Sequence, residues 1–224
     1  MDGPALPGSP PRVLVVEDND FTRMTLSGAL VNAGVDVVGE TGSAAEAIRI
    51  ARRRAPDAAM LDLDLGAGPS GVDLATELRR MLPSIGLVIL SSYEDPRLTG
   101  RNVSHLPGDA IYAVKGRTGD AHHLADLLDR AIVAARNGDG HVGSPQPARS
   151  NLTDAQIDVM RLVAAGMSNT QIATARFVSE SSVERIIGRI AVELQIPGGA
   201  GNRRVLIARE YLRMTGAAIP EHGD

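Results

Sequence analysis

Short apolar runs alternate with amphipathic stretches over the first 136 residues of the chain. Each run is four or five residues long and rich in Val, Leu, Ile or Ala, as in parallel strands that are buried on both faces. The amphipathic stretches have the spacing of helices that cover such a sheet. Five β-α units in succession predict an α/β domain with a five-stranded parallel sheet and helices on both faces. The strands are predicted at Val13–Val16, Val35–Val38, Ala58–Leu61, Leu87–Leu90 and Ala110–Val114, and the helices at about 20–33, 44–54, 71–82, 95–104 and 120–136.

The pattern after residue 151 is purely helical. Thr153-x-x-Gln156 and Ser168-x-x-Gln171 have the spacing of capping boxes, and Ser179 precedes a third apolar stripe. A turn is expected at about Arg176–Val178, and a last helix at about 203–214. Two short capped helices joined by a tight turn are typical of a helix-turn-helix. We therefore predict an all-α domain of four helices.

A stretch rich in Gly, Pro and Ser separates the two patterns. It reads NGDGHVGSPQPARS (137–150) and has little to bury, so it predicts a linker. We expect a flexible tail at 1–11, the α/β domain at 12–136, the linker at 137–151, the helical domain at 152–214 and a flexible tail at 215–224.

Charge and composition exclude several classes of protein. The net charge of −4 divides into −5 for residues 1–140 (14 basic, 19 acidic) and +1 for residues 141–224 (9 basic, 8 acidic). The absence of cysteine excludes disulfides, thiolate metal sites and cysteine catalysis. An aromatic content of 2% argues against a stacking platform for single-stranded nucleic acid. No signal peptide and no apolar stretch of about 18 residues is present, so we expect a soluble, cytoplasmic protein without a membrane partner.

Polar residues at the carboxyl ends of the predicted strands carry the candidate chemistry, because ligands of open α/β sheets bind there. Three neighbouring carboxylates invite a hard divalent cation such as Mg²⁺ or Mn²⁺. Asp62 is then a plausible nucleophile that forms an aspartyl phosphate. Lys115, the one lysine among the 23 basic residues, would neutralise the phosphoryl charge, and the Ser91 hydroxyl could bond a phosphoryl oxygen. The strand ends carry Glu17 and Asp18, Asp62 and Asp64, Ser91 and Ser92, and Lys115.

Four motifs in the first domain resemble the receiver domain of bacterial response regulators. They are LVVEDND (14–20), PDAAMLDLDL (56–65), VILSSYED (88–95) and AIYAVKG (110–116). The resemblance implies a flavodoxin-like fold and transfer of phosphate from a sensor histidine kinase to Asp62. It also implies that the domain catalyses its own phosphorylation and dephosphorylation, without being a conventional enzyme. By the same resemblance, Asp18 ligates Mg²⁺ directly, Glu17 acts through water, the backbone carbonyl of Asp64 is a further ligand, Ser91 is the switch hydroxyl and Tyr112 is the switch aromatic.

Residues 152–214 resemble a LuxR-type helix-turn-helix, the output domain of the NarL/FixJ response regulators. The matching stretches are LTDAQIDVMRLVAAGMSNTQIA (152–173) and VSESSVERIIGRIAVEL (178–194). The resemblance implies a transcription regulator that places its third helix in the major groove of double-stranded DNA and forms a homodimer when active. The candidate DNA contacts are Ser182, Arg185 and Arg189 on that helix, with Asn169 and Thr170 near phosphate.

Several residues of the second domain depart from the family pattern. Ser181 and Glu184 stand where relatives carry lysine, and a carboxylate in the groove would repel phosphates. Arg176 stands where the helix-turn-helix core is normally apolar. These departures motivate an alternative hypothesis, a receiver-controlled protein-interaction module that has lost most of its DNA affinity. An RNA-binding antiterminator fits the tightly turned helices less well, and about 75 residues after the linker are too few for an enzymatic output domain.

Overall fold

The computed structural model describes residues 9–66, 68–100, 105–118, 120–138, 151–197 and 202–216. The chain divides into two compact units. The α/β unit comprises Met1–Ser91 and Val103–Pro147, and the helical unit comprises Ser92–Asn102 and Ala148–Asp224. Most of the linker and tails predicted to be flexible lies outside the described residues, and the predicted domain boundaries stay a prediction.

The α/β unit is built on a five-stranded parallel sheet, as the apolar runs predict. The strand order is β2-β1-β3-β4-β5. Side chains of β3 and β4 are buried along the whole strand, which explains why these segments are continuously apolar. The strands are β1 (Arg12–Val16), β2 (Asp36–Thr41), β3 (Ala58–Asp62), β4 (Gly86–Ser91) and β5 (Ile111–Val114).

Four α-helices of the α/β unit begin at side-chain caps. Asn19, Ser43, Ser70 and Asp120 each accept a hydrogen bond from a backbone N–H of the first turn. One apolar cluster of this unit joins the central strands to α1 and α4 and includes Val15, Met60, Val88, Leu30 and Leu128. Apolar residues of α2 and α3, such as Ala47 and Leu78, are fully buried as well. The helices are α1 (Asp20–Asn32), α2 (Ala44–Arg54), α3 (Gly71–Met81) and α4 (Ala121–Asn137).

The prediction of a helix at 95–104 is wrong for the residues that the structure describes. A single 3₁₀ turn, Pro96–Thr99, stands there, and residues 101–104 lie outside the described residues. Asp95 caps the turn and Pro96 occupies its first position, so the start signal in the sequence is genuine. Gly100 ends the turn with a left-handed backbone (φ 70°), and Leu98, 1% exposed, packs into the core of the helical unit.

The helical unit contains the four predicted helices. Thr153 with Gln156 and Ser168 with Gln171 form reciprocal capping boxes at α5 and α6, and Ser179 caps α7. The turn between α6 and α7 holds Phe177 with a left-handed backbone (φ 55°) and a fully exposed ring. The helices are α5 (Asp154–Ala164), α6 (Asn169–Arg176), α7 (Glu180–Glu193) and α8 (Arg203–Met214), around a core that includes Ile157, Met160, Ile172, Val183, Ile190 and Ile207. Among the described residues, no helix is long and apolar enough to cross a membrane.

Candidate functional site

Three carboxylates converge at the carboxyl edge of the parallel sheet. Glu17 follows β1 and Asp62 ends β3, and these two strands pair side by side. One carboxylate oxygen from each of Glu17, Asp18 and Asp62 lies within 4.8 Å of the other two. Glu17 and Asp62 are buried, whereas Asp18 is exposed at the rim. The arrangement therefore has a buried floor and an open side through which a reactant can approach.

Lys115 directly follows β5 and reaches two of these carboxylates. Its Nζ lies 2.7 Å from Glu17 Oε2 and 3.1 Å from Asp62 Oδ2. Its side chain is a quarter exposed, so the ammonium is withdrawn from much of the solvent. The structure thus brings together the cation and the carboxylates that the strand ends predict.

Burial dominates the electrostatics of Asp62. Desolvation raises the pKa of Asp62 to about 6, although the nearby Lys115 opposes that rise. Burial of the ammonium lowers the pKa of Lys115, but its hydrogen bond to Glu17 and the charge of Asp62 outweigh burial and raise that pKa above its usual value. A bound cation would favour the ionised carboxylates further. Hard oxygen donors at this spacing fit Mg²⁺, which takes one or two carboxylates and keeps several waters.

Backbone N–H groups fix both the Asp62 side chain and the chain that follows it. The backbone N–H of Asp64 donates to the Asp62 carboxylate. The first residue of α3, Gly71, donates its N–H to the carbonyl oxygen of Leu63 (3.0 Å). A Cβ at Gly71 would lie only 2.0 Å from the carbonyl oxygen of Asp62, so the helix approaches the strand end closely because this residue is glycine.

The two predicted switch residues lie on β4 and β5. Ser91 is the last residue of β4, is 1% exposed and pairs in register with Val114, the residue before Lys115. Tyr112 is 3% exposed and pairs with Ile89. Their predicted roles as switch hydroxyl and switch aromatic stay predictions, as does the role of the Asp64 carbonyl.

Arg23, on the first turns of α1, is a site residue that the sequence reasoning missed. Its Nη1 donates to the backbone carbonyl of Glu17 (2.7 Å), and it also pairs with Asp20. A Cβ at Gly42 would lie 3.1 Å from that guanidinium and 3.3 Å from the Cα of Asp18. Arg23 therefore fixes the loop that presents two of the three carboxylates. The only signal in the sequence is the spacing of three residues between Asp20 and Arg23.

The predicted DNA contacts differ in their availability. Arg185 and Arg189 are exposed one turn apart on α7, and Thr170 is exposed at the start of α6. The Ser182 hydroxyl shares a hydrogen bond with the Ser179 hydroxyl (2.9 Å). Asn169 accepts a hydrogen bond from Arg204 of α8, a partner that sequence reasoning missed.

Two of the three residues that depart from the family pattern, Arg176 and Glu184, have simple structural explanations. Arg176 donates to the carbonyl of Ala155 (3.1 Å) and forms an ion pair with Asp158 on α5, so its charge is balanced. Glu184 is an exposed residue of α7, and the cap of that helix is Ser179, as predicted.

Family models match both units. Residues 13–105 match the response regulator receiver domain, and residues 150–204 match the bacterial regulatory proteins of the luxR family. The DNA-binding transcriptional activator DevR/DosR of Mycobacterium tuberculosis is 30% identical over 194 residues, covering 82% of this chain and 88% of the relative. The response regulator protein VraR of Staphylococcus aureus is 27% identical over 197 residues, covering 83% and 90%.

Solved structures give the same architecture. The two-component response regulator RcsB, in its complex with DNA, covers 91% of this chain and 98% of its own at a TM-score of 0.55 and 18% identity, a likeness of fold. The receiver domain of a modulated diguanylate cyclase from Desulfovibrio desulfuricans covers 58% of this chain and 99% of its own, at 27% identity and a TM-score of 0.50.

Proposed function

Because the chain belongs to the response regulators that join a receiver domain to a LuxR-type DNA-binding domain, we propose that it accepts a phosphoryl group on Asp62 from a sensor histidine kinase and regulates transcription. The observation that supports the assignment is the convergence of Glu17, Asp18 and Asp62 with Lys115. The receiver domain is the unit that carries this site.

The transfer step uses groups that the structure brings together. A carboxylate oxygen of Asp62 attacks phosphorus, and the P–N bond of the donor phosphohistidine breaks. The imidazole nitrogen keeps the electron pair and later takes a proton from water. Lys115 lies 3.1 Å from the attacking carboxylate, where its charge can balance a phosphoryl oxygen. Withdrawal of Asp62 from water strengthens these interactions in the transition state.

Glu17, Asp18 and Asp62 would hold Mg²⁺ or Mn²⁺. Such an ion would supply charge neutralisation for the phosphoryl oxygens in the transition state. Glu17 contributes in a second way, since it also accepts a hydrogen bond from Lys115 (2.7 Å) and so orients that ammonium. Self-catalysed transfer and hydrolysis at this site belong to the same proposal.

Intact mass of the full chain tests the proposal directly. Incubation with a small phosphodonor and Mg²⁺ should add one phosphoryl group, and Asp62→Asn should abolish the adduct. Asp64→Asn is the matched control, because that residue keeps its backbone groups and should still permit the adduct. Absence of an adduct on the wild-type chain, or an undiminished adduct on Asp62→Asn, refutes the assignment.

The helical unit supplies the output in this proposal, through double-stranded DNA and a homodimer of the phosphorylated chain. Arg185 and Arg189 are the exposed cations of α7 that support it. Each phosphate contact contributes about one unit to the slope of log affinity against log salt. Arg189→Ala should flatten that slope by about one unit, while Arg80→Ala, on α3 of the other unit, should leave it unchanged. Absence of DNA binding at every salt concentration would refute this part of the proposal.

A further inference from the structure

Arg204, in the first turn of α8, contacts the start of α6. Its Nη1 donates to the side-chain oxygen of Asn169 (2.5 Å), and its Nη2 donates to the backbone carbonyl of Met167. These two acceptors stand on either side of Ser168, the residue that caps α6. The planar fork of a guanidinium suits two acceptors at a fixed separation, so one side chain of α8 holds both sides of the cap.

The capping box at α6 is complete without Arg204. The Ser168 hydroxyl accepts a hydrogen bond from the N–H of Gln171 (3.2 Å), and the Gln171 side chain accepts one from the N–H of Ser168 (2.8 Å). Such a reciprocal pair satisfies backbone groups of the first turn locally. What Arg204 adds is its hold on the Asn169 side chain and on a carbonyl outside the helix. The contact therefore bears on the direction in which the Asn169 amide points.

Local stability does not explain a cation at position 204. The N-terminus of a helix carries a partial positive charge, yet the first turn of α8 contains Arg203 and Arg204 and no acidic residue. Arg176, a half-buried arginine of the same unit, pairs with Asp158, whereas Arg204 contacts only neutral acceptors among the residues that the structure describes. No carboxylate there competes with Asn169 for the N–H groups of Arg204.

The contact fixes which end of the Asn169 amide is available to another partner. Arginine has only N–H donors, so it bonds the amide oxygen, and the amide NH₂ has no acceptor in the described part of the chain. The positive charge polarises the amide and makes that NH₂ a stronger donor, and the phosphate oxygens of DNA are acceptors. We infer that Arg204 is a positioning residue that holds Asn169 so that its NH₂ donates to a backbone phosphate. This inference rests on the proposed function and deepens it, because it gives α8 a part in DNA binding.

Titration of a fluorescein-labelled DNA duplex of mixed sequence tests the inference, because phosphate contacts do not depend on sequence. The full chain is incubated with a small phosphodonor and Mg²⁺ and titrated at salt concentrations between about 50 and 200 mM. The variants are Arg204→Met, which keeps the aliphatic stem of the side chain, Asn169→Ala, and the two combined. The matched control is Arg209→Met, which removes an exposed cation from the same helix. Urea unfolding checks that each variant is folded.

Arg204→Met and Asn169→Ala should each weaken binding about tenfold, the lower end for a hydrogen bond to a charged group. The combined variant should bind within about twofold of Arg204→Met, because two residues that act through one contact are not additive. The slope of log affinity against log salt should stay within about half a unit of the wild-type slope, since the group that meets the phosphate is a neutral amide. Arg204→Lys should be intermediate, because an ammonium can hold the amide oxygen but cannot serve both acceptors as a planar fork. Arg209→Met should bind like the wild type.

Each other result overturns the inference. Additive losses in the combined variant, or a slope flatter by about one unit in Arg204→Met, mean that Arg204 meets a phosphate itself. Wild-type affinity in Arg204→Met means that the arginine serves only the fold, and an equal loss in Arg209→Met means that only the total charge matters. These results leave the proposed function intact. A wild-type chain that binds the duplex at no salt concentration refutes the DNA-binding part of the proposed function and the inference with it.

Discussion

Replacement of Gly71 by alanine should disable Asp62 without changing any reacting group. The added Cβ would lie 2.0 Å from the carbonyl oxygen of Asp62 and 3.0 Å from the Cα of Leu63. Both neighbours are backbone atoms of the strand end, so no flexible side chain can move aside. Relief of the contact requires the start of α3 or the end of β3 to shift by about 1.5 Å, given that carbon contacts are normally at about 3.5–4.0 Å.

The magnitude follows from two opposing effects. Overpacking of a close contact costs about 1–3 kcal/mol, while alanine gains up to about 1 kcal/mol over glycine in a helix. We expect the free energy of unfolding to fall by about 1–2 kcal/mol. A misplacement of about 1 Å can cost about 100-fold in rate, so phosphorylation should slow much more than stability falls.

The assay is the time course of adduct formation by intact mass, beside urea unfolding of the same samples. Gly116→Ala is the control, because it adjoins Lys115 but has nothing within 4 Å of its Cβ position. A Gly71→Ala chain that is phosphorylated at the wild-type rate would show that the close approach of α3 does not position Asp62.

Three further predictions concern charged residues. Lys115→Arg should slow adduct formation at least about tenfold, because a planar guanidinium cannot replace the compact ammonium between Glu17 and Asp62; an unchanged rate in the mass assay contradicts this. Arg23→Ala should raise the Mg²⁺ concentration for half-maximal phosphorylation about fivefold, with partial rescue in Arg23→Lys, because Arg23 holds the carbonyl of Glu17 (2.7 Å); equal Mg²⁺ dependence in all three chains would refute it. Arg176→Ala should lower the free energy of unfolding by about 1 kcal/mol, while Arg176→Leu should be close to neutral, because an apolar side chain can replace the half-buried ion pair with Asp158. Urea unfolding measures both variants, and a larger loss of stability in Arg176→Leu than in Arg176→Ala would contradict this reasoning.

Local patterns were enough to predict most of the fold. The apolar runs place all five strands, and their limits are closest for β3 and β4, because a strand buried on both faces has no polar positions to obscure them. The edge strand β2 has no buried residue and extends to Thr41, three residues beyond the predicted run. Capping residues such as Thr153 and Ser168 place the starts of the helices, because the cap is a local hydrogen bond. Asp62 and Lys115 were predicted to meet because parallel strands end at one edge. The structure brings their charged atoms to 3.1 Å.

Long-range contacts account for what the sequence did not predict. The start signal at Asp95 and Pro96 is the same for an α-helix and for a single 3₁₀ turn. What decides between them is the burial of Leu98 against α5 and α8, which are distant in the chain. Asp158 neutralises Arg176 from another helix, and Arg204 binds Asn169 from another. No spacing within one element indicates such partners.

The segment Ser92–Gly100, whose Leu98 packs into the core of the helical unit, bears on the order in which that unit assembles. Contacts among α5, α6 and α7 join near neighbours, whereas Tyr211 and Leu98 are 113 positions apart and Glu94 and Arg213 are 119 apart. Closure of a longer loop costs more chain entropy, and distant contacts form late in folding. The helices should therefore fold first and the segment Ser92–Gly100 should join last. The reverse path is the cheapest opening of the native unit, so the segment beside Ser91 should have the lowest free energy of local unfolding in this unit.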